Sequence, residues 1–437
     1  ANSNNDRLLN GNRHYFSADI AMANMASILE LSDWQIIDKA VTQYGLHIPT
    51  AEETLECILR SLSLYAPSRV AAANIWRFIR GMNPLQRTAV VYSGDMYHLM
   101  LHNDDYVREF ITGLLRLPTE PHPDHDAWTK RVDDDTKMQV SVVLSSVMKQ
   151  HKWGSDGLKA EPDYWKIGTL CHDIYQHLTH HAAMIEEFLV SRNIPFSTSY
   201  FPEAHRKAGV ASDTDSALFT VQDWVKWYTG NLDITLYNMM VAETLGYVVS
   251  ETTTHNLTSL VANIGVVDPI ERRRLSMKNE WLYPVFALTP RAKHYYGNAA
   301  IQEGVIFSEF ERERKGVELI GSNLPIDLRS SLIGMMEGIV DTVTRGEQID
   351  LDAILSGVAQ WEHAIYKSVT AGETTFLRAA KINEEEAYSN EKSRYLNYKL
   401  WCDVFAPKYG DVEPPPYSAL SFSIYPDSKR KTELWID

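Results

Sequence analysis

The sequence predicts an α+β protein, with helices packed around one antiparallel sheet. Three observations carry this reading. Residues 18–45 and 167–193 place apolar side chains three and four positions apart. Between residues 206 and 221, and again between 281 and 310, that period gives way to short apolar runs divided by polar turns. A Pro-rich turn, "YGDVEPPPY", then leads into a further apolar run near the C-terminus. No internal repeat or low-complexity tract is present.

In chain order, residues 1–16 are polar and turn-rich. In "ADIAMANMASILELSDWQIIDKAVTQYG", Ile20, Met25, Ile28, Leu29, Trp34, Ile37, Val41 and Tyr44 recur at helical spacing. Gly45 follows where a left-handed helix cap belongs. Residues 50–190 read as mainly helical, with loops at "LPTEPHPDHD" and "KWGSDGLKAEPD". Within them "IGTLCHDIYQHLTHHAAMIEEFLVSRN" forms a second long helix. "RKAGVA" and "SALFTV" flank a polar turn and predict a hairpin. A helical stretch covers roughly 222–265. Strands are expected in "WLYPVFALTPRAKHYYGNAAI" and "EGVIFSEF", helices over 323–390, and a strand after the Pro-rich turn.

The 437 residues suffice for two or three domains, and 44% hydrophobic with 23% charged residues is ordinary globular composition. A formal net charge of -15 means that a nucleic-acid partner requires a local basic surface, not a bulk attraction. Three distant cysteines, Cys57, Cys171 and Cys402, match neither a disulfide framework nor a zinc-ribbon spacing and suit a reducing compartment. With neither a secretory leader pattern nor a run of apolar residues long enough for a membrane span, a cytoplasmic protein without membrane contact is expected.

Asp213 and Asp215, in "ASDTDSALFT", place like charges two residues apart at the hairpin turn. Two-metal phosphoryl transfer needs such carboxylates, because they hold two divalent ions roughly 3.5–4 Å apart. Small Thr214 and Ser216 leave room for a ligand. A plain polar turn is the alternative, since Asp and Ser favour turns anyway.

The stretch resembles the D-T-D-S hairpin of family B DNA polymerases, and three further features follow that family's order. "IERRRLSMKNEWLYPVFALTPRAKHYYGN" resembles the palm segment ending in K-K-R-Y, which contacts the primer–template. Lys293, His294 and Tyr295 stand in that motif after Arg291, with Ala292 in place of the first Lys. "FERERKGVELIGSNLPIDLRSSL" resembles the stretch linking palm to thumb and carries Lys315, Gly316, Glu318 and Pro325, without the basic pair expected around Gly321. "NGNRHYFSADIAMANMASIL" resembles the segment where the chain re-enters the palm after the fingers helix. The pieces cover about 250 of the 437 residues. Local charge agrees: between Glu271 and Gly297, Arg272, Arg273, Arg274, Lys278, Arg291 and Lys293 oppose Glu271 and Glu280, a net of +4 beside Tyr295 and Tyr296.

The resemblance implies an antiparallel palm-type sheet carrying the D-T-D hairpin, a mainly helical insertion and a helical thumb. It divides the chain into a re-entry segment at 1–46, an insertion at 47–200, a palm at 201–320 and a thumb at 321–437. It implies a template-directed DNA polymerase in which Asp213 and Asp215 bind two Mg²⁺ ions. Arg291, Lys293, His294, Tyr295 and Lys315 would contact DNA. The family's earlier palm motif, its triphosphate-binding fingers lysine and its exonuclease motifs have no counterpart here, and no nucleotide-binding residue is assigned. The chain therefore looks like the C-terminal part of a split polymerase of a large bacteriophage, working in the infected host cell. Its expected partners are primer–template DNA, dNTPs, an N-terminal polymerase subunit with the exonuclease and first palm motif, and other replisome proteins. The ions would be shared with that subunit. A catalytically silent, polymerase-derived scaffold binding DNA or replisome proteins is the alternative.

Other constellations compete for attention. His177 and His181 share a helical face that could take a metal, or are surface histidines. His122, Asp124, His125 and Asp126 could ligate a cation, or form an acidic loop. Arg77, Arg80 and Arg87 beside Trp76 and Phe78 could meet nucleic acid, or cover half-buried aromatics. Trp435 could lie in a clamp-binding tail.

Overall fold

The computed structural model describes residues 18–61, 69–149, 151–190, 209–212, 216–263, 265–272, 274–290, 294–316, 324–373, 375–376, 379–388 and 394–420. They form a mixture of helices and antiparallel strands, in keeping with the α+β expectation. The chain divides into two compact units, one of Ala1–Pro284 with Ala299–Glu311, the other of Val285–Asn298 with Arg312–Asp437.

The first unit is mainly helical. Its opening helical stretch is two helices, α1 (Ala18–Leu31) and α2 (Trp34–Tyr44), because Asp33 caps the second. The Asp33 carboxylate accepts from the backbone N–H of Gln35 at 3.0 Å and Ile36 at 3.2 Å, and Ser32 Oγ donates back to the Ile28 carbonyl at 2.7 Å. Gly45 ends α2 at φ 61°, as expected. Then come α3 (Ala51–Ser61), α4 (Arg69–Arg80), α5 (Pro84–Tyr92), α6 (Met96–His102), α7 (Asp104–Leu115), α8 (Asp134–Val143) and α9 (Trp165–His180). After the hairpin of β1 (Gly209–Ser212) and β2 (Ala217–Phe219) come α10 (Gln222–Thr229) and α11 (Leu236–Asn263), and single helical turns lie at His125–Trp128, Ser145–Met148, Asp156–Lys159 and Pro269–Arg272.

One apolar cluster holds these helices together. It includes the fully or almost fully buried Met25, Ile37, Tyr92, Phe110, Leu170 and Val241. Burying each such side chain contributes about 1.5–3 kcal/mol relative to leaving it exposed. Among the described residues this cluster draws side chains from both sides of residues 46 and 200.

The second long helix expected over 167–193, of which 191–193 lie outside the described residues, is interrupted after His180. A single turn at Ala182–Met184 and a π-helical turn at Ile185–Leu189 follow. The His180 carbonyl is taken by Tyr44 Oη at 2.7 Å and Gln43 Nε2 at 3.1 Å. His181 turns inward, its Nδ1 2.9 Å from Tyr106 Oη. Such capture recurs: Arg87 donates to the Pro49 and Met82 carbonyls, Arg108 to those of Trp227 and Tyr228, and Gln139 to that of Leu114.

Strands β3 (Trp281–Leu282) and β4 (Val285–Leu288) pair antiparallel with β5 (Tyr295–Gln302), and β6 (Val305–Lys315) also pairs with β5. The sheet expected to carry the hairpin does not do so among the described residues: β1 and β2 form a separate two-stranded sheet. Strand β2 leaves Ala217 and Phe219, which share one face, exposed.

In the second unit, α12 (Ile326–Thr344) and α13 (Leu351–Thr370) follow β6, and Trp361 Nε1 donates to Ser331 Oγ between them at 2.6 Å. The helical expectation for 323–390 fails beyond residue 373. There β7 (Ala379–Ile382) pairs with β8 (Tyr417–Leu420), the strand expected after the Pro-rich turn. Ala379 and Ala380 favour helix by intrinsic propensity, and the ladder with β8 overrides it.

Two buried groups link this core to pH. Burial, assisted by His177 and His180, lowers His181 from its ordinary value to about 3, so it is neutral in the fold. Burial raises Glu243 to about 8, with Asn279 opposing, so it is protonated at neutral pH. Glu243 then contributes no penalty below the ordinary carboxylate pKa, and stability falls as pH rises from there through about 8. Glu243→Gln should therefore gain on the wild type between pH 5 and 8, by up to about 1.4 kcal/mol per pH unit in denaturant titrations. An unchanged difference across that range rules out the buried acid.

Packing sets a second expectation. A Cβ at Gly113 would stand 2.0 Å from His177 Cε1, whereas one at Gly338 meets nothing within 4 Å. Gly113→Ala should lose roughly 1–3 kcal/mol despite the better helix former, while Gly338→Ala should gain up to about 1 kcal/mol. Equal effects in chemical denaturation would show that the His177 contact is not tight.

Candidate functional site

The sequence-derived site residues fall on two parts of the chain. In the first unit, Ser212 pairs with Ala217 and Ala211 with Leu218, with a register shift between Gly209 and Ala211. The strands are thus those expected on either side of the aspartates. Asp213 and Asp215 themselves lie outside the described residues, as do Arg291 and Lys293.

The second unit contains Tyr295, His294 and Lys315. Antiparallel pairing of β4 with β5 sets Leu288 opposite Tyr295, Ala287 opposite Tyr296 and Phe286 opposite Gly297. The two strands can approach this closely because residue 297 is glycine: a Cβ there would stand 2.6 Å from the Val285 carbonyl oxygen. Thr289 N–H donates to the His294 carbonyl at 3.0 Å and ends the ladder. The Phe286 ring backs that of Tyr295, with centroids 5.0 Å apart and planes at 37°. Burial raises the pKa of the neighbouring Tyr296.

Lys315 ends β6 on the exposed side, with Nζ 5.9 Å from the Tyr295 ring centroid. The structure therefore brings together two residues that are 20 positions apart in the sequence and that were assigned to DNA contact from separate motifs. An ammonium at the edge of an aromatic face offers a phosphate and a sugar or base one partner each.

The neighbouring cations are otherwise engaged. Arg312 Nη2 donates to both carboxylate oxygens of Asp341 on α12, at 3.0 and 2.9 Å, and Arg314 pairs with Glu337 on the same helix. The Arg312 guanidinium holds Asp341 below the usual carboxylate range. Asn298 Nδ2 adds a bond to Thr344 Oγ1 at 3.2 Å. These contacts fasten α12 to the strands and engage both arginines of "ERERK", whereas Lys315 faces solvent beside Tyr295.

The +4 count over 271–297 shrinks in the same way. Arg274 pairs with Glu271 at 2.7 Å, Lys278 pairs with Glu303 at 2.5 Å, and Arg272 Nε donates to the Val266 carbonyl at 2.6 Å. Arg273 lies outside the described residues.

The competing constellations resolve into packing. His177 Nε2 bonds the Phe110 carbonyl at 2.8 Å and its ring stacks on Phe110, so neither histidine of the shared face is a surface residue with its nitrogens turned out. His122 stacks on His172 at 3.9 Å, and its Nδ1 accepts from the Asp124 N–H at 3.1 Å. Arg87 is committed to two backbone carbonyls, while Arg80 lies 5.9 Å from the Trp76 ring. Trp435 lies outside the described residues. Sequence reasoning missed a cluster of His47, Glu53 and His102. No motif joins them, since His102 follows Glu53 by 49 positions. Among the described residues, no helix is long and apolar enough to cross a membrane.

Comparison with known proteins adds one finding. The family described as divergent Family B DNA polymerase matches residues 1–437. No curated protein and no solved structure matches. A match that spans the whole chain shows that the chain belongs to the divergent family B DNA polymerases.

Proposed function

We propose that the chain supplies the metal-binding hairpin and the primer–template grip of a template-directed DNA polymerase. The observation that carries this reading is the family match over all 437 residues. The pairing of Tyr295 with Lys315 supports it, because both belong to motifs that resemble the family's DNA contacts.

Asp213 and Asp215 are the residues proposed to hold Mg²⁺, with Asp215 the more direct ligand. Carboxylates on a short hairpin are the hard oxygen donors this ion takes. Bound there, Mg²⁺ would supply charge neutralisation for the attacking 3′-hydroxyl and the leaving pyrophosphate. Tyr295, backed by Phe286, packs against the primer terminus, and Lys293 and Lys315 meet its phosphates. The helices α12 and α13 serve as the thumb. A partner chain with the first palm motif and the exonuclease completes the ligand set, and without that partner the isolated chain is inactive.

The test is Mg²⁺-dependent primer extension by the chain alone and with candidate partner subunits. We expect no extension alone, extension in the complex, and a loss of about 10³-fold or more in the Asp215→Asn complex. Activity of the isolated chain would refute the split enzyme, and an unaffected Asp215→Asn complex would refute the metal assignment. A wild-type complex that binds DNA and never extends it would favour the silent scaffold.

Lys315→Ala should weaken primer–template binding with a salt slope reduced by about 1, as expected for the loss of one phosphate contact. Tyr295→Ala should weaken binding by about 1–3 kcal/mol with an unchanged slope. If the slope responds to both variants or to neither, the two roles are misassigned.

A further inference from the structure

Three side chains of the first unit bring together donors that neither the hairpin nor the Tyr295 strand uses. His47 lies in the loop after α2, Glu53 in the first turn of α3, and His102 is the last residue of α6. One imidazole nitrogen from each histidine and one carboxylate oxygen all lie within 4.8 Å of one another. His47 Nε2 and Glu53 Oε2 are 3.0 Å apart. Cys57, one helical turn beyond Glu53, places Sγ 3.8 Å from His102 Nε2. Donors held 2.0–2.3 Å from one tetrahedral ion stand roughly 3.3–3.6 Å apart, and the two measured separations bracket that spacing.

The surroundings hold these donors in place. His47 N–H donates to Asn103 Oδ1 at 2.7 Å, Tyr92 Oη donates to the His47 carbonyl at 2.8 Å, and Arg87 Nε fastens the Pro49 carbonyl at 2.7 Å. Glu53 Oε2 also accepts from the Thr50 N–H at 2.7 Å, which fixes the carboxylate beside the loop. Anchored ligands of this kind lose little freedom on binding an ion. His47 and Glu53 are partly exposed, which gives an ion a way in.

We propose that His47, Glu53 and His102 bind one zinc-class divalent ion, with Cys57, which stands beside His102 and is not part of their 4.8 Å group, drawn in as the fourth ligand. Two imidazoles, a carboxylate and a thiolate select Zn²⁺ over Mg²⁺, which takes oxygen ligands. Four protein ligands make the site structural, with no open position for a substrate. The ion joins the loop after α2, the first two turns of α3 and the end of α6. Binding releases the Cys57 proton to solvent, so affinity rises with pH.

The test is titration of the purified chain with Zn²⁺ against a chromophoric chelator, in excess Mg²⁺. One Zn²⁺ per chain should bind, and saturation should raise the Tm by about 5 °C. His102→Ala and the near-isosteric Glu53→Gln should each weaken binding by more than about tenfold. With Co²⁺ in place of Zn²⁺, the wild type should show thiolate-to-metal absorption in the near ultraviolet, and Cys57→Ser should lack it. If the wild-type chain binds no Zn²⁺ saturably in excess Mg²⁺, there is no such site. Undiminished binding in both His102→Ala and Glu53→Gln overturns the ligand set, and an unchanged cobalt spectrum in Cys57→Ser overturns the fourth ligand.

Discussion

A helix end leaves carbonyl groups without partners, and the first unit is organised by how those groups are satisfied. Tyr44 and Gln43 take the His180 carbonyl, Arg108 takes those of Trp227 and Tyr228, and Gln139 takes that of Leu114. Each bond ties one helix to another that is distant in sequence. Apolar burial supplies the bulk of the stability, but it is non-directional. The carbonyl bonds give that packing its registry, and they determine which helices stop and where.

The same economy limits what charge can say about function. Long polar side chains that look available in the sequence are drawn into the fold. Arg87 sits beside aromatics in "WRFIRGMNPLQR", yet it holds two backbone carbonyls. Arg312 and Arg314 sit beside Lys315, yet α12 supplies Asp341 and Glu337 to meet them. Lys315 differs because its partner is the face of an aromatic ring, which leaves the ammonium able to meet a phosphate. A basic stretch is therefore a poor guide to a nucleic-acid surface until the partners of each cation are known.

How legible the molecule was depended on the range of the interactions involved. The helices over 50–190, the cap at Gly45 and the strand after the Pro-rich turn follow from local period and turn chemistry. The break at Asp33 was also local, an N-cap hidden inside a continuous apolar pattern. The break at His181 was not, because it depends on Tyr44 and Tyr106 reaching it from other helices. Likewise β7 looked helical, because Ala379 and Ala380 carry no mark of the strand 38 positions later that pairs with them.

For the functional residues the division is similar. The sequence by itself determined the family, through short motifs whose order along the chain survives without any fold, and it singled out Asp213, Asp215, Tyr295 and Lys315. Tertiary structure alone decided that Tyr295 and Lys315 meet, since the pairing of β4, β5 and β6 sets their distance. It alone removed His177 and His181 from consideration as ligands by burying them against Phe110 and Tyr106. It alone gathered His47, Glu53, Cys57 and His102, because the end of α6 reaches the start of α3 only when their shared apolar core closes.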